Sequence, residues 1–183
     1  MGFLTLYRKR KKRERELRII ILGLDNAGKS SILKHILGED PMWTDPTYGF
    51  SIRSKVYENH LINFWDIGGQ RSLRPFWRNY FEKTDGIIWV VDGSDAGRFG
   101  EHVQELNNIL RDARLLKCSV LLLVNKQDLY PDRELDVIQE TLSSLEDRTR
   151  LRVLPCSAYT GKGINEGLSW LLLNIQQKFR HRD

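Results

Sequence analysis

The chain is poor in the features that several protein classes require. Only two of its 183 residues are cysteine, Cys118 and Cys156. They stand far apart and in no metal-ligand spacing, so neither a disulfide framework nor a zinc site is indicated, and a reducing compartment fits. Apolar runs such as Val120 to Val124 fall far short of the roughly 18 residues that a bilayer-spanning helix needs. A secretory leader would place an apolar stretch after a basic start, whereas residues 8 to 18 are the most charged in the chain, so export is not expected. A broadly basic body is lacking as well. The formal charge of +5 resolves into +6 over residues 8–18 (RKRKKRERELR), +2 over residues 178–183 and −3 over residues 19–177. A nucleic-acid-binding body would spread basic charge across a face, so no nucleic-acid partner is expected.

What remains is an ordinary globular composition, with 40% hydrophobic and 10% aromatic residues, enough for one packed domain. Nearly continuous apolar runs at Ile19–Leu22, Gly86–Val91, Ser119–Val124 and Leu151–Cys156 read as strands covered on both faces and therefore parallel. Residues 48–56 and 61–66, separated by a polar Glu58-Asn59-His60 break, read as an antiparallel hairpin. Helical periodicity occupies Lys29–Leu37, Phe99–Leu110, Leu135–Leu145 and Ile164–Phe179. In the second of these Phe99, Val103, Leu106 and Leu110 share a face; in the last, Ile164, Leu168, Leu171, Leu172 and Ile175 form a core-facing stripe. This alternation predicts a doubly wound α/β domain over residues 19–183, with ligands outside the carboxyl ends of the strands. Residues 1–18 read as an amphipathic, basic N-terminal arm.

Three loops at strand ends carry the chemistry. Gly23-Leu24-Asp25-Asn26-Ala27-Gly28-Lys29-Ser30 matches Gly-x-x-x-x-Gly-Lys-Ser/Thr between a buried strand and a helix. Its glycines let the backbone wrap phosphate oxygens, Lys29 reaches the outer phosphates, and the Ser30 hydroxyl can ligate magnesium. A second loop, Asp66-Ile67-Gly68-Gly69-Gln70, puts a carboxylate at a strand end beside the phosphates and a glutamine where it can orient water. Alone it would be a common turn; its spacing from the first loop gives it weight. The third, Asn125-Lys126-Gln127-Asp128, suits guanine. The Asp128 carboxylate can accept from the ring N–H and exocyclic amine, a donor pair adenine lacks, and a site built on such pairing rejects the wrong base. Lys126 has an aliphatic stem to cover the base and Asn125 can tie this loop to the phosphate loop. The loop Cys156-Ser157-Ala158 is expected to turn a backbone amide toward the guanine carbonyl.

Taken together these residues resemble the Ras-like small GTPases. GLDNAGKSS at 23–31, PTYGF at 46–50, WDIGGQ at 65–70, RPFWRNYF at 74–81 and NKQD at 125–128 are similar to the ADP-ribosylation-factor branch, along the whole chain. The opening residues, ILKHILGED and WRNYFEKTDGIIWVVD look most like its type-two factor-like subgroup, with type three the second choice. The resemblance implies the P-loop small-GTPase fold: a six-stranded, mostly parallel sheet with one antiparallel hairpin strand and helices on both faces. It implies GTP and GDP as substrate and product, a magnesium cofactor held by Ser30 and Thr47, and Asp66 acting on it through water. Ser31 joins the phosphate-binding residues, Gly69 senses the terminal phosphate through its amide, and Gln70 positions the attacking water. Phe50, Trp65 and Tyr80 match an aromatic cluster that meets effectors in the GTP state, although packing into the core is an equal reading of Trp65 and Tyr80. Tyr48 stands where the family usually has a smaller aliphatic residue.

No arginine can be assigned from sequence as an internal finger, so hydrolysis is expected to be slow, about 10⁻⁴ to 10⁻³ per second, until a partner supplies charge. The family also implies a hairpin that slides along the sheet and expels the N-terminal segment, making the arm part of the switch. Implied partners are effectors in the GTP state, an activating protein and an exchange factor; the subgroup adds a tubulin-folding cofactor and a carrier of prenylated proteins. A monomer in the cytoplasm, associated with the cytoskeleton through such partners, is expected. Leu6 occupies the place where acylation of Gly2 wants Ser or Thr, and the ending Arg180-His181-Arg182-Asp183 offers no prenylation cysteine, so membrane contact is expected to be weak at most. Two other readings stay open at this point. One is a guanine-nucleotide scaffold with negligible hydrolysis, against which Gln70 speaks; the other is a phosphoryl-transfer kinase, for which no second pocket or arginine-bearing lid is found.

Overall fold

The computed structural model describes residues 15–58, 60–129 and 150–180. The expected helix at Leu135–Leu145 and residues 1–14 of the arm lie outside the described residues. Six strands, β1 (Arg15–Leu22), β2 (Phe50–Tyr57), β3 (His60–Ile67), β4 (Gly86–Asp92), β5 (Ser119–Asn125) and β6 (Leu151–Pro155), form one sheet in the order β2-β3-β1-β4-β5-β6. All neighbours are parallel except β2 with β3. The described helices are α1 (Lys29–Leu37), α2 (Phe99–Leu110) and α3 (Ile164–Arg180), with a 3₁₀ helix at Arg74–Tyr80.

The period-two alternation of strand side chains sorts the core into two layers. Ile19 and Ile21 pack with Ile32, Leu33 and Ile36 of α1 and with the α3 stripe Leu168, Leu171, Leu172 and Ile175. Ile20 and Leu22 point the other way, onto Trp77, Phe81, Trp89 and α2 residues Leu106, Ile109 and Leu110. Helices thus cover both faces. Strands β4 and β5 are buried at every position, as their unbroken apolar runs require, whereas β2 lies at the sheet edge and is largely exposed. No described helix is long and apolar enough to cross a membrane.

Several details differ from the sequence reading. Strand β1 starts at Arg15, four residues before Ile19, because Arg15–Arg18 pair with His60–Asn63 of β3; fully buried Leu17 was masked by its charged neighbours. Strand β6 ends at Pro155 rather than Cys156. The inner face of α2 is His102, Leu106, Ile109 and Leu110, with Phe99 and Val103 only half-buried. Counting apolar residues missed His102, which lies edge-on to Trp89 with ring centroids 6.3 Å apart. Burial lowers its pKa to about 4, so it packs as a neutral ring.

Candidate functional site

All three chemistry-bearing loops leave the carboxyl ends of β1, β3 and β5, where the strand order reverses around β1, the position at which α/β sheets bind ligands. A cleft of about 360 Å³ is lined by Asp25, Lys29, Ser30, Thr47, Gly69 and Gln70. A second hollow of about 180 Å³ is lined by Asn125, Asp128, Leu129, Ala158 and Tyr159. The two share Gly28, Ser31 and Lys126 as walls, so they form halves of one site.

In the first half the phosphate loop turns through Asn26 and Gly28 at positive φ, 61° and 92°. Gly28 is required twice over, because a Cβ there would lie 2.3 Å from Asn125 Nδ2. Lys29 is buried and its ammonium donates to the Leu24 carbonyl at 2.8 Å. Burial lowers its pKa to about 8, opposed by the charges of Asp66 and Asp25 and reinforced by Arg74. Next to it, Ser30 Oγ donates to Asp66 Oδ2 at 2.5 Å and lies 3.0 Å from Thr47 Oγ1, which donates to the same carboxylate oxygen at 3.3 Å.

Burial pushes the Asp66 carboxyl up, against the lowering effects of Ser30, Lys29 and Thr47. Its Oδ1 is buried with no hydrogen-bond partner. Two hydroxyls and a carboxylate with an orphaned oxygen, all hard donors drawn together, fit a small dication such as magnesium. Leu24, Ala27 and Gly23 contribute backbone to the same loop, and Ser31 Oγ lies 3.3 Å from Thr44 Oγ1 at the cleft wall.

The second half is framed by Asn125. Its buried amide donates to the Ala27 carbonyl at 2.9 Å and accepts from the Ala158 amide at 2.9 Å, joining three loops. Of the backbone amides in the Cys156-Ser157-Ala158 loop, that of Ala158 thus donates to the Asn125 side chain. Ser157 Oγ donates to Asp128 Oδ1 at 2.5 Å and accepts from the Thr160 amide at 3.1 Å, which holds the exposed carboxylate in place. Lys126, at positive φ (67°), bonds its ammonium to Asp92 Oδ2 at 2.6 Å. Against desolvation, Lys126 and Ser94 hold the Asp92 carboxyl below the usual range. Asp92 was not singled out from sequence, although, like Asp66, it is a carboxylate ending a buried strand.

Two arginines also come to the phosphate half without a sequence signal. Arg98 reaches Asp25 Oδ1 at 3.1 Å and Asp95 at 2.6 Å; Arg74 reaches Asp25 at 3.4 Å and Glu101 at 2.7 Å. Away from the cleft, Phe50 stacks on Trp65 at 5.5 Å and meets Tyr80 at 5.2 Å. Phe50 is 48% exposed, while Trp65 and Tyr80 are half-buried, so the expected cluster exists and only part of it faces solvent. The Arg18 guanidinium lies 3.8 Å above the Trp65 ring, within cation–π range.

Residues 3–175 match the ADP-ribosylation factor family. The chain is 44% identical over 180 residues to ADP-ribosylation factor-like protein 2 of Arabidopsis thaliana, covering 97% of each. It is 45% identical over 180 residues to the protein of that name from Drosophila melanogaster, again over 97% of each. In Dictyostelium discoideum the corresponding figures are 43% over 176 residues and 96% of each. Among solved structures, the fold is shared with the Arl6 BBS3 small GTPase from Trypanosoma brucei, determined with the nucleotide analogue GppNp. The TM-score is 0.80 at 24% identity, over 89% of this chain and 99% of that one.

Proposed function

The chain belongs to the ADP-ribosylation factor family and is therefore a small GTPase, a GTP hydrolase working as a nucleotide-dependent switch; from that premise we propose the residue roles by which it works. The reading is carried by one observation, the convergence of Ser30, Thr47 and Asp66 beside buried Lys29. Ser30 and Thr47 would hold magnesium, with Asp66 bound to it through water, and the ion supplies charge that offsets the terminal phosphates. Lys29 exchanges the Leu24 carbonyl for phosphate oxygens. Gly69 offers its amide to the third phosphate and Gln70 orients the attacking water. Asp128 reads the guanine edge, with the Lys126 stem against the base and Ser157 steadying the carboxylate.

The two nearby guanidiniums are committed to carboxylates of the protein itself. Neither is left to meet charge developing on the transferring phosphoryl group, so unassisted turnover is slow and an activating partner is needed. Loss of the third phosphate removes what Thr47 and Gly69 grip and releases their segments. Phe50, Trp65 and Tyr80, beside the exposed edge strand β2, are the surface we assign to effectors of the GTP state. Likeness to factor-like protein 2 supports a tubulin-folding cofactor and a prenyl-protein carrier as those effectors, with the protein acting in the cytoplasm. Protein loaded with GTP analogue or GDP would be used to capture partners: effectors should appear with the triphosphate alone. Gln70→Leu should keep GTP bound while slowing stimulated hydrolysis by on the order of a hundredfold; an unaltered stimulated rate removes Gln70 from the chemistry.

A further inference from the structure

The 3₁₀ helix Arg74–Tyr80 lies behind the Asp66–Gln70 loop, and two of its side chains grip the loop's backbone. The Trp77 indole N–H donates to the Gly68 carbonyl at 2.9 Å, and Arg74 Nε donates to the Gly69 carbonyl at 3.0 Å. In a trans peptide the carbonyl and the following N–H point in opposite directions. Pinning the Gly68 carbonyl therefore turns the Gly69 N–H away from Trp77. Pinning the Gly69 carbonyl turns the Gln70 N–H away from Arg74. Both residues line the phosphate half of the cleft, and neither amide donates to an acceptor among the described residues. The loop is also pressed forward: a Cβ on Gly69 would lie 2.4 Å from the Gly23 carbonyl oxygen.

Arg74 is the anchor of this arrangement. Its side chain is only 6% exposed, and besides Gly69 it meets Glu101 at 2.7 Å, Glu105 at 3.6 Å and Asp25 at 3.4 Å. A buried guanidinium is tolerated when its donors are satisfied, and the flat fork of arginine can meet several acceptors at once where lysine cannot. Here the partners come from three elements: the Gly69 loop, the phosphate loop and helix α2. We propose that Arg74 is a positioning residue for the third phosphate, anchored on α2 by Glu101 and Glu105 and holding the Gly69 and Gln70 amides toward the cleft. The inference rests on the GTP/GDP reading above, because only the triphosphate reaches these amides; the diphosphate is held by the phosphate loop.

Affinities of GDP and of a non-hydrolysable GTP analogue, measured by displacement of a fluorescent nucleotide, separate positioning from bulk stability. Arg74→Gln should lower analogue affinity about tenfold relative to GDP, and Arg74→Lys should restore little of it. Glu101→Gln with Glu105→Gln should lower the same ratio by about threefold or more, and combining these changes with Arg74→Gln should add nothing further. An unchanged ratio, an equal loss of both nucleotides, or additive effects would overturn the assignment. If Arg74→Gln does not fold, the glutamate pair decides alone, with a wild-type ratio counting against it. Wild-type protein that bound neither nucleotide would overturn the functional reading as well; wild-type binding with unshifted ratios overturns only the role of Arg74.

Discussion

The two halves of the nucleotide cleft are built by opposite means. In the phosphate half Lys29, Asp66, Arg74 and Arg98 already have partners within the protein. Lys29 sits on the Leu24 carbonyl, Asp66 on two hydroxyls, and Arg74 and Arg98 on Asp25. A phosphate entering there must displace or join these contacts, so binding and rearrangement are one event. The base half is framed by the neutral amide of Asn125, buried and satisfied on both sides. It presents one exposed carboxylate, Asp128, fixed by Ser157. On the proposed reading the contrast separates two tasks: the phosphate half would sense which nucleotide is present, and the base half would decide which base is admitted.

The largest effect that would test this division is at Asp128. On the proposed reading, Asp128→Asn keeps one acceptor oxygen but turns the other into an amide donor that faces a guanine donor, and it should reduce GTP affinity by on the order of a hundredfold or more while admitting xanthosine triphosphate. Both are measurable by nucleotide displacement. Unchanged GTP affinity would place base reading elsewhere. Asn125→Ala should act differently, through the frame. It leaves the Ala27 carbonyl and the Ala158 amide unpaired in a buried setting, so destabilisation of about 2 to 3 kcal/mol is expected even without nucleotide. Chemical denaturation of ligand-free protein measures it. Wild-type stability with lost affinity would mean that Asn125 contacts the ligand rather than supporting the loops, and the two halves would be alike.

Much of this division was legible in the sequence, and the exceptions share a cause. The phosphate loop is local: eight consecutive residues carry the turn, the lysine and the hydroxyl, so spacing alone reveals it. Strands β4 and β5 were legible because burial on both faces leaves no polar residue within the run. Leu17 was not, since one buried side chain between Glu16 and Arg18 looks like part of a charged arm until β3 pairs with it. Arg74, Arg98 and Asp92 were hidden for a related reason. Arg98 meets Asp25 across 73 positions and Lys126 meets Asp92 across 34. Which loops face each other follows from the strand order, and single-residue chemistry holds no record of it.

The smallest expected effect is a pH dependence confined to the phosphate half. Burial lowers the Lys29 pKa from 10.5 to about 8, whereas in the unfolded chain it returns to its ordinary value. Between those values the unfolded chain holds a proton that the folded, ligand-free protein has released, so ligand-free stability should rise as pH climbs from 8 toward 10.5. Phosphate binding works the other way, because the anion favours the charged ammonium and binding must take up a proton. GTP affinity should therefore fall by about fourfold between pH 7 and 8.5, while ligand-free stability begins to rise over the upper part of that range. Calorimetry in two buffers of different ionisation enthalpy would report the proton uptake, and Lys29→Gln should abolish it. Uptake that persisted in Lys29→Gln, or followed Asp128→Asn instead, would move the proton to the base half and undo the contrast between a half that responds to charge and a half that does not.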